Sequence, residues 1–339
     1  MKTKYLPLIS LFLITSFILS ACSSKPSVTT PNIEEQDTVE TSSIVVTPEN
    51  TAPVPPTEMP EIIPCTIAFD SDRDGNLEIY VMDADGNNLR NLTNNSGDDW
   101  NAAWSPDGSQ IAFVSNRENE QGGGQHIYIM DADGNNIQQI TNSNFNISNY
   151  PDWSHDGSAI VFSSEVNGNS DIYVINMDAS IDPTNLTNSA AQDIQPTWSP
   201  DGSQIAWLSG NNENWDLFVM NADGSDVKNL TENGGVYDIT WTIDGQLFLH
   251  WRNEEYGCFN CVMDADGSNV IDAGGKGELQ RYVPFWTPDG DSVELTSADI
   301  NNGNDEIYLV GEIYPDMFFN LTNNPGNDRN PDWPASCAP

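Results

Sequence analysis

Basic residues are what this chain has least of. Its 339 residues include 11 Lys and Arg and 3 His against 51 Asp and Glu, a formal net charge of −40. Phosphate recognition needs clustered Lys and Arg to displace counterions, so this composition excludes a nucleic-acid partner. An anionic bilayer surface repels the chain for the same reason. The sequence also lacks a Gly-x-Ser-x-Gly elbow, a His-Glu-x-x-His pair and a phosphate-binding glycine loop. His126 and His250 adjoin strand-like runs and His155 stands in a turn, so all three read as structural. Polar bulk comes instead from Asn, Asp, Ser and Gly, the residues of turns. Ten Trp, ten Tyr and twelve Phe supply a core, which separates the chain from disordered acidic sequences.

Long apolar runs are scarce too. One spans Leu6 to Leu19, after the basic Met1-Lys2-Thr3-Lys4 and before Leu19-Ser20-Ala21-Cys22. Its length is short for a membrane span, and the order of basic, apolar and small residues is that of a signal peptide over residues 1–21. Leu-Ser-Ala-Cys resembles the bacterial lipobox, which implies that Cys22 carries lipid and becomes the mature N-terminus. Several acyl chains on one residue anchor stably, where one chain holds marginally. Residues 22–64, rich in Pro, Thr, Ser and Glu, cannot bury enough apolar surface to order themselves and read as a semi-rigid tether.

From Cys65 onward the chain repeats. Trp104, Trp153, Trp198, Trp241, Trp286 and Trp333 recur at intervals of 49, 45, 43, 45 and 47 residues. After each of the first five comes a turn such as Ser105-Pro106-Asp107-Gly108, with Pro setting the first corner and Gly taking positive φ. A second strand (Ile111-Ala112-Phe113) and a third (Ile127-Tyr128-Ile129-Met130) follow, then an Asp-Ala-Asp-Gly turn and a short fourth strand ending in Asn-Leu-Thr or a variant. Four antiparallel strands in about 45 residues make one propeller blade, and blades must stack in a ring to bury both faces. The expected fold is all-β: a six-bladed β-propeller over residues 65–339. The head lacks a first strand before Ile67, and the tail carries a surplus one, Asn330-Pro331-Asp332-Trp333, so pairing the two closes the ring.

The cysteines give the same register. Cys337 lies four residues after Trp333, as Gly108 does after Trp104, and Cys65 lies two before Ile67, as Ser109 does before Ile111. Both fall where a hairpin turn sits in an ordinary blade, so a Cys65–Cys337 disulfide stands in for that turn. Cys258 and Cys261 form the second expected pair, structural rather than redox-active, in an oxidising compartment.

The run Trp-Ser-Pro-Asp-Gly-Ser-Gln-Ile-Ala-Phe followed by Ile-Tyr-Ile-Met-Asp-Ala-Asp-Gly resembles the WD-like repeat of TolB-family propellers, over residues 65–337. Similar blades occur in envelope binding proteins, in non-catalytic propellers of prolyl-oligopeptidase-type enzymes and in some polysaccharide lyases. TolB itself has an N-terminal α/β domain where this chain has an anchor and a linker.

Loops between strands two and three, and between blades, vary most, and variable loops on a rigid scaffold carry function. Arg73, Arg117, Trp215, Arg252 and Tyr256 lie on them and are the candidate ligand-face residues. Asp70-x-Asp72-x-Asp74-Gly75-x-x-Glu78 spaces oxygen ligands like the start of a Ca2+ loop, but Val81 stands where the twelfth-position Glu would; the plain alternative is a hairpin with local Asp caps. The reading is a monomeric, exported, lipid-anchored module of the cell envelope, with no catalytic residues, binding a protein, peptide or glycan and meeting the membrane through its anchor only. The alternative is a metal-dependent lyase or hydrolase acting on polysaccharide in the propeller channel.

Overall fold

The structure, a computed structural model, describes residues 65–117, 124–142, 144–145, 148–166, 168–178, 182–211, 214–232, 234–252, 260–272, 282–286, 292–298, 303–311 and 314–334. The expected signal peptide, Cys22 and linker, together with Tyr256, Cys258 and Cys337, lie outside them.

The described residues form six four-stranded antiparallel sheets, the blades of an all-β propeller. The second blade is typical: Asp99–Trp104, Gln110–Ser115, His126–Asp131 and Gln138–Gln139 in sequence and spatial order. The third runs from Ser148 to Asn185, the fourth from Gln192 to Asn229, the fifth from Val236 to Asp272 and the sixth from Tyr282 to Asn320. The first differs. Its strands Thr66–Ser71, Glu78–Asp83 and Arg90–Asn91 take their inner neighbour from the far end of the chain, Asp328–Asp332, with Ala68 opposite Asp332 and Ser71 opposite Asp328.

Strand alternation explains the packing. Ile67 and Phe69 pack with Ile307 and Leu309 of the sixth blade, while Ala68 between them faces Trp104 and Phe113 of the second. Because period-two alternation buries both faces of every blade, the strands read as unbroken apolar runs. Similar cores join the second blade to the third, the third to the fourth and the fourth to the fifth. The Trp indoles stitch neighbours together: Trp153 Nε1 donates to Ala103 O and Trp241 Nε1 to Thr197 O, both at 3.2 Å.

The turns are built as their residues require. Gly108 N donates to Ser105 O at 2.9 Å, Gly108 has φ of 70°, and Asp107 Oδ1 accepts from the Ser105 hydroxyl at 2.8 Å. Two of the expected loops are instead continuations of strands. Segments 165–170 and 210–215 are mostly hairpin arms, since strands Ala159–Val166 with Asn169–Asn176, and Gln204–Asn211 with Asn214–Asn221, run on in full register. Cys65 and Cys261 are each disulfide-bonded.

The Asn-Leu-Thr triplets are a structural lock. Thr93 Oγ1 accepts the Ile79 amide N–H at 2.9 Å and donates to Glu78, while Asn91 Oδ1 accepts the Thr93 N–H at 3.0 Å. Asp171, Asp216 and Glu306 repeat the role of Glu78 with Thr187, Thr231 and Thr322. Thr93→Val removes the acceptor for a buried N–H and a donor to a buried carboxylate, so it should cost about 1–3 kcal/mol in urea unfolding. His126 takes the acid's place in the second blade, beside Thr141, and its burial lowers its pKa.

Candidate functional site: the channel and its mouth

The inner strands of the first four blades carry a β-bulge at the same place. Register shifts fall between Arg329 and Asp332, Trp100 and Ala103, Asn149 and Asp152, and Ile194 and Thr197, while that of the fifth blade, between Val236 and Asp238, lies one residue earlier. A bulge adds a residue that the neighbouring strand does not pair, and re-aims it. Here the extra residues are not glycine yet have positive φ: Asn101 at 52°, Tyr150 at 53°, Gln195 at 51° and Asn330 at 49°. Each stands three residues before a repeat Trp. Such backbone costs about 1–3 kcal/mol where surroundings do not compel it, and clusters at functional sites.

These four residues, with Asp152, Asp238, Asp332, Thr197 and Thr240, line a cavity of about 190 Å³ between the inner strands of five blades. No basic residue shares the lining, so its field is negative. Two of the carboxylates also tie blades together: Asp152 Oδ2 accepts the Trp198 amide N–H and Asp332 Oδ2 that of Trp104, each at 2.7 Å. Burial pushes the Asp152 carboxyl up to about 6, against the lowering effect of that amide bond.

The acidic run whose spacing suggests a Ca2+ loop is engaged by other partners. Asp70 is buried and anchors the bulge ring, accepting from Asn101 N at 3.2 Å and from Asn330 Nδ2 at 2.9 Å. Asp72 accepts from the Asn327 side chain at 2.7 Å, Asp74 takes the Tyr80 hydroxyl, and Glu78 belongs to the Thr93 lock. Burial first, and then Asp74, push the Tyr80 hydroxyl up to about 12. The four carboxylates thus turn to four different partners, and among the described residues no three His, Cys, Asp or Glu are placed to share a metal ion. Millimolar Ca2+ should leave the melting temperature unchanged; a rise on titration would restore the calcium reading.

Arg73 and Arg117, expected on the ligand face, are turned inward. Arg73 pairs with buried Asp328 at 2.8 Å and donates to Ser71 Oγ at 2.8 Å, with its guanidinium 4.7 Å from the Tyr80 ring centre. Arg117 repeats this with Asp99 at 2.9 Å, Ser115 at 2.8 Å and Tyr128 at 5.0 Å. Gly97 and Gly326 let the blade-linking loops press on these arginines, since a Cβ there would come within 2.6 and 2.8 Å of the Arg117 and Arg73 Cα atoms. Trp215 is half-buried, packed against the core between the fourth and fifth blades. Arg252 remains exposed, over Tyr237. The bulge ring and Tyr237 escaped sequence reasoning; the shared position three residues before each Trp was the available signal.

The family model of the TolB beta propeller domain matches residues 39–150 and 142–278. The Tol-Pal system protein TolB of Desulfosudis oleivorans is 42% identical over 62 residues, which is 18% of this chain and 14% of that protein's length. Among solved structures, TolB from Acinetobacter baumannii aligns with a TM-score of 0.65 at 20% identity, over 79% of this chain and 66% of that one. Kuenenia stuttgartiensis hydrazine synthase aligns at 0.63 with 16% identity, over 80% of this chain and 47% of that one. At such identities the likeness is one of fold.

Proposed function

The chain belongs to the TolB β-propeller family, and we propose that it is a binding module of the bacterial cell envelope, holding a protein partner at the mouth of its channel. The ring of non-glycine residues in left-handed backbone around an acidic cavity carries this reading. Backbone strain maintained at four equivalent positions re-aims side chains into a concavity that five blades share. The TolB relatives add that such a propeller serves an envelope system. A metal-dependent enzyme gains no support from the described residues, among which no three His, Cys, Asp or Glu are placed to share a metal ion.

The rest of the design follows the same proposal. Six blades close into a ring through the pairing of Asp328–Asp332 with Thr66–Ser71, clasped by a Cys65–Cys337 disulfide, with Cys258–Cys261 as the second bridge. Lipidated Cys22 anchors a monomer on the extracytoplasmic side, and residues 22–64 hold the propeller off the surface. Mass spectrometry of the mature native protein should find acyl groups on Cys22 and both disulfides; free thiols at 65 and 337 would remove the clasp.

A photo-crosslinking residue placed at Tyr237, beside the channel, should capture a partner protein in the producing cell. The same residue at Ile243, exposed on an opposite-face turn, should not. Equal capture at the two positions, or none at either, would sink the binding-face assignment.

A further inference from the structure

Blades one and two share a side-chain latch that blades three and four lack, since Ser148 and Asp193 stand at the Asp99 position with Val166 and Asn211 in place of Arg117. After the second strand of blades one and two stand Asp72 and Asn116, which accept the amide N–H of Asn327 at 2.6 Å and Asp98 at 2.7 Å. The arginines that follow grip Asp328 and Asp99. The fifth blade keeps the backbone contact, with Arg252 N donating to Gly235 O at 2.9 Å. Its side chains break the pattern. Arg252 occupies the Asp72 and Asn116 position, and Val236, fully buried, occupies that of Asp328 and Asp99.

The Arg252 guanidinium lies over the Tyr237 ring, 5.6 Å from its centre. Both side chains are exposed, Tyr237 by 44%, and Tyr237 adjoins the channel-lining Asp238. Face-on stacking leaves the edge N–H donors of a guanidinium free, in a fork that matches a carboxylate. The ring beneath offers apolar surface to whatever flanks that carboxylate.

We propose that Tyr237 and Arg252 form a recognition point for a single carboxylate on a partner peptide, an acidic side chain or a chain terminus set beside an apolar residue. The surrounding charge sharpens this choice. With a net charge of −40 and three aspartates in the neighbouring lining, a polyanion is repelled, whereas one carboxylate fits the one guanidinium. The inference rests on the binding-module reading and names the partner's chemistry.

The test is selection of a displayed random-peptide library on the full mature chain. Selected peptides should share one Asp, Glu or free C-terminus beside an aromatic or aliphatic residue. Removing that carboxylate, or Arg252→Gln, should weaken binding about tenfold or more, the scale of one bidentate charge-assisted contact. Arg252→Lys should recover part of it, and neither variant should shift the melting temperature. Peptides that lack a carboxylate, or that bind Arg252→Gln as tightly, would overturn the assignment while leaving the binding module intact. A glucuronate oligosaccharide that binds through Arg252 where no peptide does would overturn the peptide source. Selection that yields nothing, with no crosslink at Tyr237, would count against both.

Discussion

Asp328→Ala is expected to destabilise the propeller by about 3–5 kcal/mol, the cost of leaving a buried charge without its partner. The Asp328 side chain is 0% exposed and that of Arg73 13%, and the guanidinium lies between Ser71, Asp328 and the Phe69 and Tyr80 rings. With the carboxylate gone, that guanidinium keeps its burial and loses its countercharge. The strand that carries Asp328 meets the first blade in a short ladder of three aligned pairs, without a hairpin turn beside it. Loss of the pair should therefore release this strand before the rest unfolds, seen as fast amide exchange at residues 328–332. Asp99→Ala supplies the comparison. The Asp99–Arg117 pair has the same geometry, but the turn at 105–108 joins its two strands covalently. It should lower the melting temperature without freeing one strand selectively. Replacing both Arg73 and Asp328 by Leu should return part of the loss, since an apolar pair leaves no charge uncompensated. An Asp328→Ala protein within about 1 kcal/mol of the parent would show that other contacts hold the strand.

The blade pattern was legible because it is written in residues with few alternatives. Trp at a fixed offset, Pro-Asp-Gly turns and apolar runs of strand length leave little freedom, and among the described residues they match observed strands and turns. Placement of the tail strand beside the head was legible for a related reason: an unpaired first strand and a surplus one complement each other. Side-chain roles were harder. Asp70, Asp72, Asp74 and Glu78 look like ion ligands in one dimension because alternate spacing suggests convergence. Asp72 and Asp74 lie in the loop between two strands. The strand register, with Asp70 opposite Ile79 and Glu78 opposite Ser71, sets the other two on opposite faces, so the four meet Asn327, Tyr80, Asn330 and Thr93 separately. Arg73 and Arg117 misled in a similar way: a loop arginine reads as exposed unless the buried aspartate 255 or 18 residues distant is known to face it. The bulge ring was hidden because Tyr and Gln carry no sequence mark of left-handed backbone and the mark of Asn is weaker than that of Gly.

The Asp152 carboxylate links stability to the proposed site, and its titration gives the second large effect. Burial raises its pKa from an ordinary 3.8 to about 6. Between those values the folded chain binds more protons than the unfolded one, so this group's contribution to stability falls as pH rises from about 4 to 6 and stays low above. A shift of this size corresponds to at most about 3 kcal/mol, and the carboxylate's partial contact with channel water reduces it. Asp152→Asn keeps an oxygen to accept the Trp198 N–H, held at 2.7 Å in the parent, and drops the charge. The variant should be more stable by about 1–3 kcal/mol in urea unfolding at pH 7.5, and the gain should disappear near pH 4. A gain constant across that range would mean that charge is not the cause, and a loss at pH 7.5 would mean that the amide cannot replace the latch. A scaffold that keeps a costly carboxylate in its channel wall, where Asn would serve the backbone as well, gives up stability for a negative channel, a trade expected where a site is selected for binding rather than for rigidity.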